Sequence, residues 1–167
     1  MDPFLLGISV TSEAKSFHSN WGQEFKLFSS TDIDTILGIT NSFHFNRGDF
    51  NFFSQHGEAA YAYWSRFVRL SDNQTSACAY DHDEAVLQLF KNLEVLLGNP
   101  KDFRNRLDII MKEYDCTCLI ELIFPEGLSG ALYKIPHSHI EWLAKLEVPF
   151  QFRMIRADMM QELLDRC

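Results

Sequence analysis

The stretch that most constrains the fold runs from residue 81 to residue 124, where two helical patterns are followed directly by a strand pattern. Asp81 can cap the first helix, and Gly98 can end it. Pro100 suits the first position of the second helix. In the strand, residues 116–124, alternate side chains form one wholly apolar face. The sequence therefore predicts two helices, joined by a sharp turn, that pack on this face.

Hydrophobic periodicity in the rest of the chain predicts the elements around this central unit. In chain order we expect a strand at 4–10, strand and turn at 16–29, a helix at 31–38, a long loop at 40–57, a strand at 61–70, a polar turn at 72–76, a strand at 130–135, a helix from 136 or 138 to 146, a strand at 148–156 and a helix at 157–167. The last helix is expected to be peripheral, because chain ends often fray.

These elements predict a single α+β domain, residues 1–167, with an antiparallel-dominated sheet that carries helices mainly on one face. The order strand, short helix, strand occurs in both halves of the chain. An internal duplication would explain this repeated order of elements and would give a ferredoxin-like sandwich with inserted helices. The signals that any two helix starts share explain this order equally well.

The charge of the chain limits the partners it can have. Asp and Glu total 23 against 15 Lys and Arg, which gives a formal net charge of -8. Such a surface repels phosphate backbones and attracts basic proteins, so the composition disfavours nucleic-acid binding. With 46% hydrophobic residues, the chain can also bury a substantial core.

The cysteines and the first residues predict a location. Four cysteines, among them Cys78 and Cys167, are too few for a disulfide-stapled secreted domain and lack the paired spacing of a zinc site. Asp2 stands where a signal peptide needs positive charge, and no apolar run is long enough to cross a membrane. We therefore expect a cytoplasmic protein with reduced thiols and no membrane contact.

One candidate binding surface is the second face of the 116–124 strand. There Glu121 could pair with Arg153 of a neighbouring strand, and Trp64 could extend the same surface. Mixed aromatic and charged surfaces are typical of binding hot spots. The plainer alternative is a half-exposed ion pair between strands, which contributes little.

The acidic helix start is a second candidate. Asp81, Asp83 and Glu84 could meet a basic partner, or they could serve only to stabilise the helix start. His137 and His139 are weak candidates for metal ligands, because imidazoles commonly bind zinc. Helix capping explains both clusters better, so no cofactor is predicted. The sequence also has no nucleophile signature and no phosphate-binding glycine loop, and we predict no enzymatic activity.

Several short motifs occur in a fixed order along the chain. They are DIDTILGI at residues 32–39, NRGD at 46–49 and YWS at 63–65, followed by the helix-rich middle and the apolar strand around Ile120. In this order they resemble a family of small bacterial proteins known as domain of unknown function four-two-seven-nine. The resemblance covers most of the chain, from Ile8 to Ile155.

The resemblance implies a binding role, since the family has no established activity or catalytic residues. Small acidic cytosolic bacterial proteins of this kind are often immunity proteins, which neutralise a toxin by occupying its active face. We therefore expect an immunity protein that binds a cognate toxin with a basic active face, through Asp81, Asp83, Glu84, Glu121 and Trp64. The alternative is a small-ligand sensor with a pocket at Trp64 and Glu121. A third hypothesis is a metal-dependent enzyme.

Overall fold

A computed structural model of the chain describes residues 4–12, 26–50, 52–53, 57–59, 61–77, 81–126 and 135–167. The elements in chain order are β1 (Leu5–Ser12), α1 (Ser30–Leu37), β2 (Phe43–Phe45), β3 (Tyr63–Val68), α2 (Asp72–Ala77), α3 (His82–Leu97), α4 (Pro100–Glu113), β4 (Cys116–Pro125), α5 (His137–Leu146), β5 (Phe150–Ile155) and α6 (Ala157–Arg166). Most of the expected strand and turn at 16–29, and of the expected strand at 130–135, lies outside the described residues.

The described strands form a five-stranded sheet in the order β2-β3-β1-β4-β5. Neighbouring strands are antiparallel except β4 and β5, which run parallel and are connected through α5. The predicted α+β fold with an antiparallel-dominated sheet is confirmed. The ferredoxin-like variant is wrong, because β1 and β2 are separated by β3 whereas β4 and β5 are direct neighbours. The two halves of the chain therefore differ in topology.

The central unit folds as its sequence predicts. α3 begins after Asp81, whose side chain accepts a hydrogen bond from the backbone N–H of Glu84 at 3.0 Å, and it ends at Gly98. Asn99 caps α4, and Pro100 occupies its first position. The alternate apolar side chains of β4 and the buried side chains of both helices belong to one hydrophobic cluster. These helices therefore cover one face of the sheet, as expected.

Two arginines of α4 hold the ends of neighbouring helices. Arg104 donates hydrogen bonds to the carbonyl oxygens of Leu146 and Glu147 at the end of α5. Arg106 donates to the last carbonyl oxygens of α1 and α3. The last carbonyls of a helix lack partners within it and form the negative end of its dipole, so guanidinium groups stabilise them. α4 therefore fixes the ends of α1, α3 and α5.

The other face of the sheet is buried too, which the sequence did not predict. Phenylalanines of β2 and of the segment after it pack there with β3 and with α6. α6 buries Met159, Met160 and Leu163 in this layer, so it is part of the core and not peripheral. Gly7 leaves room for the layer, since a β-carbon at that position would lie 2.7 Å from the Cα of Phe67.

Two local expectations differ from the structure. Residues 72–76 belong to helix α2 and do not form a simple polar turn. The expected loop at 40–57 contains strand β2, in which Phe43 and Phe45 are buried. A strand of three residues is too short to be separated from a loop by periodicity alone.

Candidate functional site

Strand β5 forms an edge of the sheet, and no described strand pairs with its outer side. The backbone N–H groups of Ile120 and Glu126 donate to the carbonyl oxygens at positions 149 and 155, both at 2.8 Å. Backbone groups of successive strand residues point to alternate sides, so the odd-numbered residues of β5 direct theirs toward β4. The backbone groups of Phe152 and Met154 therefore point away from the sheet.

The side chains of Phe152 and Met154 are exposed as well, by 53% and 63%. They pair in register with Leu122 and Phe124, which places them on the helix-covered face of the sheet. α5 packs against α4 and, through the ring of His139, against Phe90 of α3. Of the described β5 side chains on this face, only Phe150 packs against the buried cluster. The end of β5 therefore presents an apolar surface.

The acidic start of α3 lies near this exposed strand. The register of β1 with β4 places Phe4 opposite Phe124, which pairs with Met154 in β5. The Phe4 ring contacts the His82 ring of α3, with 5.4 Å between centroids. Because neighbouring strands are about 4.8 Å apart, about 10 Å of sheet separates Phe4 from Met154. The start of α3 and the end of β5 therefore belong to one end of the molecule.

We call this region the edge surface; it comprises the outer side of β5, Phe152, Met154 and the acids Asp81, Asp83 and Glu84. Asp81 is exposed, and Asp83 and Glu84 are partly exposed. The predicted acids are thus together in space, as neighbours in one helix start where Asp81 also serves as the cap. The exposed side chains of Phe152 and Met154 add apolar contact area, which these acids do not provide.

Glu121, predicted to contact a partner, is completely buried. Its carboxylate lies 2.8 Å from the guanidinium of Arg153 and accepts hydrogen bonds from Gln151 and from the hydroxyl of Tyr63, the latter at 3.1 Å. Burial, together with the charge of Glu121, raises the pKa of Tyr63 well above its usual value, so this hydroxyl keeps its proton. The predicted pair with Arg153 is confirmed. The surface role of Glu121 is wrong, because α6 and the buried rings of Phe43, Phe45 and Phe52 cover this face.

Trp64, predicted to share the face of Glu121, lies on the opposite face. Its side chain is fully buried beneath the helices, and its indole N–H donates to Asp34 at 2.7 Å. Asp34 also accepts from the backbone N–H of Asn41 at 2.9 Å, which links α1 to the segment before β2. Alternation along β3 places Trp64 and Tyr63 on opposite faces of the sheet. It does not determine which of these two side chains lies on the face of Glu121. Because Trp64 and Glu121 face opposite ways, they cannot line the pocket that the small-ligand alternative requires.

The two histidines considered as metal ligands point in different directions. His137 is exposed and lies 3.2 Å from Glu141 of the same helix. His139 is buried against the ring of Phe90, and its Nδ1 lies 2.6 Å from Glu94. Within the described ranges, no group of three or more His, Cys, Asp or Glu side chains could hold a metal ion. The structure therefore does not bring His137 and His139 together as ligands.

Sequence reasoning missed Phe152 and Met154 as site residues. Alternation placed them on the face that receives the helices, where apolar side chains are normally buried. Their exposure depends on the tertiary position of α5, which periodicity does not determine. The sequence offers one sign of this exposure: β5 is the last strand that hydrophobic periodicity predicts, which makes it a candidate for an edge of the sheet.

Comparisons with protein-family models, with curated proteins and with solved structures found no match for this chain. Among the helices that the structure describes, none has the length and apolar character needed to cross a membrane. The geometry alone therefore defines the class: an α+β protein with a mixed sheet, an edge strand with exposed apolar side chains, and an acidic helix start at the same end of the sheet.

Proposed function

We propose that this chain is a non-enzymatic binding protein, an immunity protein that neutralises a cognate bacterial toxin by direct contact in the cytoplasm. The observation that carries the proposal is the edge surface, where exposed Phe152 and Met154 lie at the same end of the sheet as the acidic start of α3. The surface offers a partner both apolar contact and negative charge.

An apolar centre with a charged surround is the usual arrangement of a protein interface. Large apolar side chains that lose water on binding supply much of the affinity, and Phe152 and Met154 are of this kind. Acids at the same end of the molecule increase the rate of encounter with a basic partner. The net charge of -8 adds the same preference over the whole chain.

The partner class rests on charge and on the family resemblance. A toxin that acts on nucleic acids or nucleotides needs a basic active face, because its substrate carries phosphates. An acidic protein with an apolar anchor can cover such a face and keep the substrate out. The immunity role is also what we expect from the resemblance of the sequence to a family of small bacterial proteins.

The first test is purification of the tagged chain from its native host at low and moderate salt, followed by identification of any stoichiometric partner. Inhibition is then measured as recovery of growth when chain and partner are expressed together. Phe152→Ala and Met154→Ala should each weaken the complex by about 2 kcal/mol, which is about thirtyfold in Kd, as for central interface residues. Circular dichroism and melting curves check that the variants remain folded.

Asp83→Lys tests the acidic part of the surface, with Asp102→Lys as its matched control. Both acids lie in the first turn of a helix, so both changes remove the same favourable interaction with a helix dipole. Only Asp83 belongs to the edge surface. Its reversal should slow association and reduce the salt dependence of the rate, and reversal of Asp102 should not. A partner that binds all edge-surface variants as tightly as the wild type, or whose toxicity the chain does not reduce, would overturn the proposal.

A further inference from the structure

The outer side of β5 offers apolar side chains and backbone groups that pair with no described strand. The N–H and carbonyl groups of Phe152 and Met154 point away from β4, and no strand in the described part of the chain pairs with them. A row of such groups can pair with an added strand. The opposite edge strand, β2, has 3 residues, whereas β5 has 6. β5 is therefore the edge with room for a further strand.

We propose that the partner binds by placing an extended segment along β5 as a sixth strand. This inference rests on the proposed function and specifies the part of the partner that makes the contact. Backbone hydrogen bonds to the edge supply affinity, and alternate side chains supply specificity. A segment of about six residues matches the length of β5.

The surroundings of β5 define the side chains that this segment should carry. On the helix-covered face its side chains meet Phe152 and Met154, which favours apolar residues. Near Met154 the same face leads toward the acidic start of α3, which favours a Lys or Arg at that end. On the opposite face, the Arg153 charge is already paired with Glu121. The segment therefore alternates apolar residues on one face and has a basic residue at one end.

A second copy of this chain is a poorer occupant of the edge. Each copy carries a net charge of -8, so two copies repel each other on approach. A basic segment is attracted by the same charge. Charge complementarity therefore favours a segment of a different protein.

The probe for strand addition is a display library of random ten-residue peptides selected on the intact wild-type chain. Selected peptides should alternate apolar residues, carry a Lys or Arg and lack proline in the contacting part. Sedimentation of the chain alone, over a range of concentrations, measures self-association. Failure to enrich such peptides, or a dimer that forms through β5, would overturn the proposal.

Amide hydrogen exchange, measured by NMR, reports the backbone contact directly and needs no substitution. In the free chain, the amides of Gln151 and Arg153 should be protected by β4, while those of Phe152 and Met154 should exchange quickly. A selected peptide should slow exchange at Phe152 and Met154 at least tenfold. Unchanged exchange at these two amides in the complex would show that the peptide does not pair with the strand.

A pair of variants separates the backbone contact from the side-chain contact. Phe152→Ala removes the ring and keeps the N–H, whereas Phe152→Pro removes both. Because this N–H points away from β4, proline costs no hydrogen bond between these two strands. Phe152→Pro should bind the selected peptide at least tenfold more weakly than Phe152→Ala, and equal affinities would contradict strand addition. Equal binding of a co-purified toxin to both variants would rule out strand addition at β5, while the proposed function would still stand.

Discussion

Replacing Arg153 by Met should destabilise the protein more than replacing its partner Glu121 by Gln. The guanidinium lies 2.8 Å from the carboxylate, and the two side chains are 28% and 0% exposed. Arg153→Met leaves a carboxylate that has no access to water and has lost the cation that pairs with it. Glu121→Gln leaves a guanidinium that still reaches water. The unequal exposure of the two partners therefore predicts an unequal loss of stability.

The expected loss of unfolding free energy in each variant depends on the partners that the remaining side chain keeps. Removing one partner of a buried ion pair costs about 3–5 kcal/mol. In Arg153→Met, Tyr63 and Gln151 still donate to Glu121, so we expect the lower end of this range, about 3 kcal/mol. Part of this loss is the contact of the guanidinium with the Phe53 ring, 4.6 Å from its centroid. Glu121→Gln keeps the shape of the side chain and an acceptor for Tyr63, so we expect about 1.5 kcal/mol.

Urea unfolding and thermal melting measure both variants. For a chain of 167 residues, Tm changes by about 3 °C per kcal/mol, so it should fall by about 9 °C in Arg153→Met and about 4 °C in Glu121→Gln. The double variant should lose less than the sum, because neither charge is left alone. Arg156→Met is the control, since Arg156 is 54% exposed in its pair with Asp158. Equal losses in the two single variants, or a larger loss in Glu121→Gln, would refute this reasoning.

Further predictions concern packing, a buried hydrogen bond and a thiol. Gly7→Ala should lower the free energy of unfolding by at least about 2 kcal/mol in urea titrations, because the added methyl group would overlap the backbone at Phe67. Trp64→Phe should lower it by about 1–2 kcal/mol, since Asp34 loses a donor at 2.7 Å, and it should leave partner affinity unchanged because Trp64 is buried. The Cys118 thiol should react with iodoacetamide only as fast as the protein unfolds. A hydrogen bond with the Cys116 thiol, together with burial, raises the pKa of Cys118, so little of the reactive thiolate forms in the folded protein. Rapid labelling of the native protein would contradict this last expectation.

The central segment could be predicted because its signals are local. Asp81, Gly98 and Pro100 each act within one helical turn, and the alternation of β4 depends only on its own residues. The pairing of Glu121 with Arg153 could be predicted from the same alternation once β4 and β5 were taken as neighbours. Patterns of this kind assign residues to faces of an element.

Local patterns do not predict which elements pack over each face of the sheet. The layer formed by Phe43, Phe45 and α6 joins segments that are far apart in the chain, and no local pattern in either segment points to the other. For this reason Glu121 was expected on an open surface. The exposure of Phe152 and Met154 does not follow from the sequence for the opposite reason, since alternation assigns them to the helix-covered face and does not show how far along the strand the helices reach.

The position of β1 in the sheet has a consequence for biosynthesis. β1 lies between β3 and β4, and Leu5 pairs with Ile123. A ribosome must therefore release the chain through β4 before both sides of β1 have partners. Until then a strand whose side chains are nearly all buried in the finished protein stays open to other chains and to chaperones. Truncated products that stop before Cys116 should accumulate as insoluble or chaperone-bound material, because they lack the strand that pairs with the second side of β1.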